Sequence, residues 1–187
     1  MKVRVIKRPP YVWMRWLFYV HILALLSPLA GWLIPSLSFV LDLVVLLGTI
    51  CCLKNLEVKN PRYKKAELLL LLSLVMLFVN RLVSTTLVSL VFSVLSLLAV
   101  YQEYASHSEV AAPHDAKLAR VWRSLFVWQI IAGVVAGMLS AVAVLAMTMQ
   151  GMDAARMTTL VTAGVMGVNA LVKIVYLSCL NKMVRIV

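Results

Sequence analysis

Charge is what this sequence has least of. Of its 187 residues only 13% are Asp, Glu, Lys or Arg, and only seven carry a carboxylate. Water-soluble domains hold about 25% charged residues, so composition alone excludes an ordinary soluble domain. Cysteine is scarce too: three residues, two of them the adjacent Cys51 and Cys52, cannot build the disulfide framework of a small secreted domain. The chain has no G-x-S-x-G, no H-E-x-x-H and no P-loop, so no catalytic residue can be named. No cofactor-binding pattern is present, and no apolar run carries a pair of carboxylates that could hold a catalytic metal.

What the sequence does have is apolar residues. They make up 63% of the chain, and the mean hydropathy of +0.97 is that of an integral membrane protein. The net charge of +11 comes from basic residues gathered into short clusters between apolar runs. That pattern differs from the continuous basic face of a nucleic-acid binder, and no nucleic acid is expected as a partner. Basic residues up to Arg15 followed by an apolar run also resemble the start of a signal peptide. The cleavage context is poor, with Pro28 two positions before Ala30, so the run reads as a retained first transmembrane helix.

A helix rising 1.5 Å per residue needs about 20 apolar residues to cross a hydrocarbon core of about 30 Å. That ruler gives six crossings in a single domain, over 12–34, 36–53, 65–80, 84–101, 122–149 and 157–180. The stretch 66–100 would make a rod of about 52 Å if continuous, too long for one span. Only Asn80 and Arg81 interrupt it, and they are read as a tight turn. Lys and Arg mark the cytoplasmic side of a membrane protein. With six spans, 15 basic residues fall on one face and two, Arg81 and Arg156, on the other, while Lys173 lies inside a span. The expected fold is therefore an all-α polytopic membrane protein, a bundle of six transmembrane helices arranged as three hairpins, N-in and C-in, in the bacterial plasma membrane. Tyr11, Trp13, Trp16 and Trp32 sit where aromatic belts form. Pro28 and Pro35 bracket the first outer turn and predict a kink or an early stop.

Small and weakly polar residues at helical spacing mark the packed faces of membrane helices. Such stripes run through Ser38, Asp42 and Thr49; through Thr86, Ser89, Ser93 and Ser96; through Gln129, Gly133, Gly137 and Ser140; and through Thr162, Asn169, Lys173 and Tyr176. They serve either close helix packing or the lining of a polar cavity. Asp42, Asn169 and Lys173 are the candidates for a ligand site or an ion path, because ionised groups at bilayer depth are costly and usually paired. Asp42 lies about 16 Å and Lys173 about 10 Å from the inner ends of their spans, which suits an ion pair, or else a neutral Asp42 with Lys173 reaching to the interface.

Met147, Met149, Met152 and Met157 crowd one turn, a thioether grouping that suits Cu(I). No His or Cys joins them, methionine also fills irregular apolar turns, and no metal ligand set is assigned. The segment 102–115 offers Glu103, His107, Glu109, His114 and Asp115 without a zinc spacing, and reads as a solvated cytoplasmic connector. It holds no Lys or Arg and would be repelled by the anionic leaflet that the basic clusters attract, so it is the expected docking segment for a protein partner. The leading functional expectation is an accessory or assembly subunit of a membrane complex, because the loops are too short for a soluble activity. The alternative is a small-solute or ion-handling component built around Asp42, Asn169 and Lys173, and a membrane enzyme comes third.

Overall fold

The computed structural model describes residues 9–83, 85–150 and 154–186. The side chains of the methionine group at 147, 149, 152 and 157 lie outside what is described. Among the described residues there are six α-helices and no strand: α1 Pro10–Leu33, α2 Pro35–Leu56, α3 Arg62–Val83, α4 Thr86–Ala111, α5 Ala116–Gln150 and α6 Ala154–Ile186. Each contains a segment long and apolar enough to cross a membrane. By composition this is an integral membrane protein.

The helix boundaries follow from local chemistry. Pro10 and Pro35 open their helices at positions where a missing N–H costs nothing. Ile34, held extended ahead of Pro35, is the single residue that separates α1 from α2. Pro28 neither stops nor ends α1, which continues to Leu33; prolines are tolerated inside membrane helices. Asn80 and Arg81 do not form a turn either. The helix α3 runs through both to Val83, and Thr85 caps α4 by accepting a hydrogen bond from the Val88 N–H. Asn80 instead accepts a hydrogen bond from the Ser89 hydroxyl across the α3–α4 contact.

The largest departure from expectation is at 102–115. Nothing between Gln102 and Ala111 breaks a helix, and α4 continues through it until Pro113 forces an exit. Four residues later α5 begins, with Asp115 Oδ1 accepting from the backbone N–H of Lys117 and Leu118, both at 2.9 Å. The segment is therefore mostly helix, and its Glu103, Tyr104, Ser106, His107 and Ser108 are buried.

Helices adjacent in sequence pack side by side, α1 also packs against α6, and α4 touches α6. The pairs run antiparallel: Val20 meets Gly48 and Ser27 meets Asp42, Asn80 meets Ser89 and Tyr63 meets His107, Tyr101 meets Phe126 and Ser108 meets Ala119. One end of the bundle thus gathers the start of α1, α3 and α5 and the finish of α2, α4 and α6. Nearly the whole core lies there: Met14 and Leu17, Leu53 and Leu56, Tyr63 and Ala66, Ala99 and Tyr104, Trp122 and Leu125, Tyr176, Leu180 and Met183. Towards the other end Leu82, Leu87, Met138 and Val142 stand exposed. Such apolar surface would be intolerable in water and is ordinary against lipid.

A buried polar cluster and its cavity

Into this apolar core the helices bring a set of ionisable side chains. Glu103 of α4 is its centre, only 4% exposed. Its Oε1 accepts a short hydrogen bond from the Tyr176 hydroxyl of α6. Two imidazoles face the same oxygen, His107 Nε2 one helical turn along α4 at 3.5 Å and His21 Nε2 of α1 at 3.8 Å. Each ring is held from behind. The Tyr63 hydroxyl, at the first turn of α3, lies 2.7 Å from His107 Nδ1, and Lys173 Nζ lies 3.1 Å from His21 Nδ1. Aromatic rings wall the cluster: His21 lies against Tyr176 with centroids 4.4 Å apart and His107 against Trp122 at 4.5 Å.

An ammonium only donates, so His21 Nδ1 accepts from Lys173 and the His21 proton sits on Nε2, whereas the Tyr63 hydroxyl can donate to His107 Nδ1 or accept from it. Both Nε2 atoms face the Glu103 carboxylate from just beyond hydrogen-bond length, and neither makes a hydrogen bond, nor does Trp122 Nε1. Lys173 approaches the carboxylate through the His21 ring, so a partly buried positive group and a buried negative one stand with an imidazole between them. The arrangement carries the parts of a proton path. An ammonium can pass a proton to His21 Nδ1 while His21 Nε2 passes its own to Glu103, and the Tyr63–His107 pair approaches the same carboxylate from the end of the bundle where α4 meets α5. As a metal centre it is poorly made, because a lysine ammonium sits behind one imidazole and all contacts converge on one oxygen. Among the described residues, no group of three or more His, Cys, Asp or Glu is arranged to hold a metal ion.

Lys173 also faces a cavity of about 440 Å³ between α1, α5 and α6. Gln129 and Asn169 share its wall with Ala24, Leu25, Pro28, Leu29, Met166, Gly167 and Ile174. Two of the three residues singled out from the sequence, Asn169 and Lys173, are thus brought together, one helical turn apart on α6. Asp42 is not with them. It lies on α2, exposed, and accepts a hydrogen bond of 2.6 Å from the Ser27 hydroxyl. Among the described residues Asp42 and Lys173 form no ion pair.

No protein-family model, curated protein or solved structure matches this chain.

Sequence reasoning missed four of its members, and nothing in the sequence marks Tyr63. His21 was visible as a lone imidazole inside an apolar span, a signal that should have placed it beside a partner. Glu103 and His107 stand one helical turn apart, but the polar residues around them read as a solvated segment. Of the expected small-residue stripes, Gly133, Gly137 and Ser140 are exposed, and a Cβ on either glycine would meet nothing within 4 Å.

Proposed function

We propose that this chain is a small membrane protein that handles protons and a small solute together, with Lys173–His21–Glu103 as the proton path and the α1/α5/α6 cavity as the solute site. One observation carries this reading: Lys173 lines the cavity and, at 3.1 Å, touches the first ring of the buried chain. A solute that contacts the ammonium changes whether Lys173 holds its proton, and the chain gives that proton somewhere to go. The basic bias favours the connector end as the cytoplasmic one, with three helical hairpins, N-in and C-in, in a bacterial plasma membrane. Exposed Lys54, Lys59, Lys64, Lys65, Lys117, Arg120 and Lys182 near that end suit anionic lipid headgroups, at about 1 kcal/mol each.

The test is proton entry into liposomes that hold the full chain and trapped pyranine, with the membrane potential clamped, after an external acid step. Wild-type vesicles should acidify faster than empty ones, alone or with a low-molecular-weight cell extract outside, and Glu103→Gln should lower the rate by about tenfold or more, the scale of a lost proton-transfer group. Wild-type vesicles no faster than empty ones under either condition refute the proton path.

A second reading, an accessory or assembly subunit, is favoured by the exposed Gly133, Gly137 and Ser140 face of α5, which has the small-residue spacing of a helix–helix contact. In that reading the outer part of 102–115, where Glu109, Ala112, Pro113 and His114 remain exposed, is the docking segment for a peripheral partner. Cross-linking through Gly137→Cys in native membranes tests it: a specific adduct with another membrane protein is the expected product.

A further inference from the structure

The cavity beside Lys173 has a chemistry that narrows what could fill it. An ammonium has three N–H groups. One is directed at His21 Nδ1, and the Tyr176 ring lies 5.6 Å from the nitrogen, at its flank. Among the described residues no carboxylate forms a direct ion pair with Lys173, since Glu103 lies behind the imidazole and is engaged there by Tyr176. The cation therefore has donors left over on the side where the cavity lies. Gln129 from the facing helix and Asn169 one turn away on α6 add amide donors to the same wall. The rest is apolar: Leu25, Leu29, Met166 and Ile174. Small-molecule sites have this composition, a mostly apolar surface with a few converging polar groups, in volumes of about 300–1,000 Å³.

We infer that the cavity binds a small organic monoanion, a carboxylate with an apolar body, whose head is held by Lys173, Gln129 and Asn169. The inference rests on the solute site of the proposed function and names what that site takes. A free cation is disfavoured by Lys173 itself. A dianion such as phosphate would bring more charge into an apolar chamber than one ammonium and two amides can compensate. A monocarboxylate matches the single positive charge, and its body covers the leucine, methionine and isoleucine walls. The same head group is carried by a water-soluble acid or by a fatty acid drawn from the bilayer, and chain length separates the two.

Gly167 supplies the decisive variant. It lines the cavity, and a Cβ there would meet no atom within 4 Å. Gly167 is exposed at the cavity's rim, so a leucine there crowds the cavity mouth without striking backbone, and it replaces a poor helix former by a good one. Binding is measured by equilibrium dialysis of radiolabelled butyrate, benzoate, octanoate and palmitate, each beside its uncharged amide, on the full chain in nanodiscs, with empty nanodiscs as background.

Saturable binding of at least one acid is expected, with its amide weaker by about tenfold or more. Gly167→Leu and Lys173→Met should abolish it, while Lys173→Arg, which keeps the charge, should retain measurable binding. Butyrate or benzoate as the preferred probe identifies a water-soluble acid; octanoate or palmitate identifies a fatty acid. The inference is overturned if no acid binds saturably to the wild-type chain, if the amides bind as well as the acids, or if Gly167→Leu with an unchanged melting curve binds as the wild type does. Because binding is read without proton movement, the two proposals fail separately. A chain that binds an acid but moves no protons refutes the path alone, and one that moves protons but binds no acid refutes the anion site alone.

Discussion

Lys173 and Glu103 are expected to be energetically coupled, and the structure sets the size of the effect. They are the opposite charges of the buried cluster, joined through the His21 ring. Lys173→Met leaves the buried Glu103 carboxylate without a compensating charge. Glu103→Gln leaves the ammonium in the same position, removes the anionic acceptor from the Tyr176 hydroxyl and removes the negative charge that two imidazoles face. Removing one partner of a buried pair costs about 3–5 kcal/mol, mostly the penalty of the charge left behind. At the lower end of that range each single variant should melt about 6–12 °C below the wild type, given about 2–4 °C per kcal/mol for a chain of this length. The double variant carries neither charge and should recover about 1–3 kcal/mol of the summed loss. The assay is thermal unfolding of the purified chain in one mild detergent, read by tryptophan emission and far-UV circular dichroism. Asp42→Asn combined with Lys173→Met is the control pair, because Asp42 bonds Ser27 on the far side of α1, and its losses should add to within about 0.5 kcal/mol. Additive losses for Glu103 with Lys173, or recovery for Asp42 with Lys173, would refute coupling of the two charges through His21.

Two further outcomes test other parts of the fold. A Cβ at Gly48 would lie 2.8 Å from Val20 Cγ2 and 3.3 Å from Cγ1, and the β-branched valine cannot swing away. Gly48→Ala should therefore destabilise by about 1–3 kcal/mol, whereas Gly133→Ala, pointing into open space, should be neutral or gain up to about 1 kcal/mol from helix propensity; equal melting temperatures for the two would refute the α1–α2 approach. At the start of α5 the backbone N–H groups of Leu118 and then Lys117 hold the Asp115 carboxyl below its ordinary value, with help from the nearby Lys182 and Lys117 charges. A depressed carboxyl contributes stability above its unfolded value, about 3.9, and loses it as pH falls through the folded value. Amide exchange at Lys117 and Leu118, corrected for intrinsic rate, should be faster in Asp115→Ala than in the wild type at neutral pH and alike in strong acid; the same gap at both would refute the cap.

The six apolar runs were legible because hydropathy and helix rise are properties of a single chain segment, and lipid asks nothing more of a span than length and apolarity. What failed was the burial of polar side chains and their placement around the bundle. The segment 102–115 looked solvated because it holds Glu103, Glu109, Asp115 and two histidines, yet between them stand Tyr104, Val110 and Ala111, and no Gly or Pro interrupts the helix before Pro113. A charged pair one turn apart is compatible with either solvent or a neutral buried cluster, and only the arrival of His21, Tyr63 and Tyr176 from three other helices decides between them. Lys173 was recognised as needing a partner, but Asp42 was paired with it by depth. Depth is one coordinate, and contact needs the order of helices as well. Asp42 stands on α2, which packs against α1 and α3, and Lys173 on α6, which packs against α1, α5 and α4. With α1 lying between them, the two residues pair with different faces of the same helix: Asp42 takes Ser27 and Lys173 takes His21. Ser27 and His21 are six residues apart on α1, about 9 Å along its axis at 1.5 Å per residue. A rotation of about 100° per residue carries those six positions through about 600°, about 240° past one full turn, which is why two residues of one apolar span can serve separate polar partners.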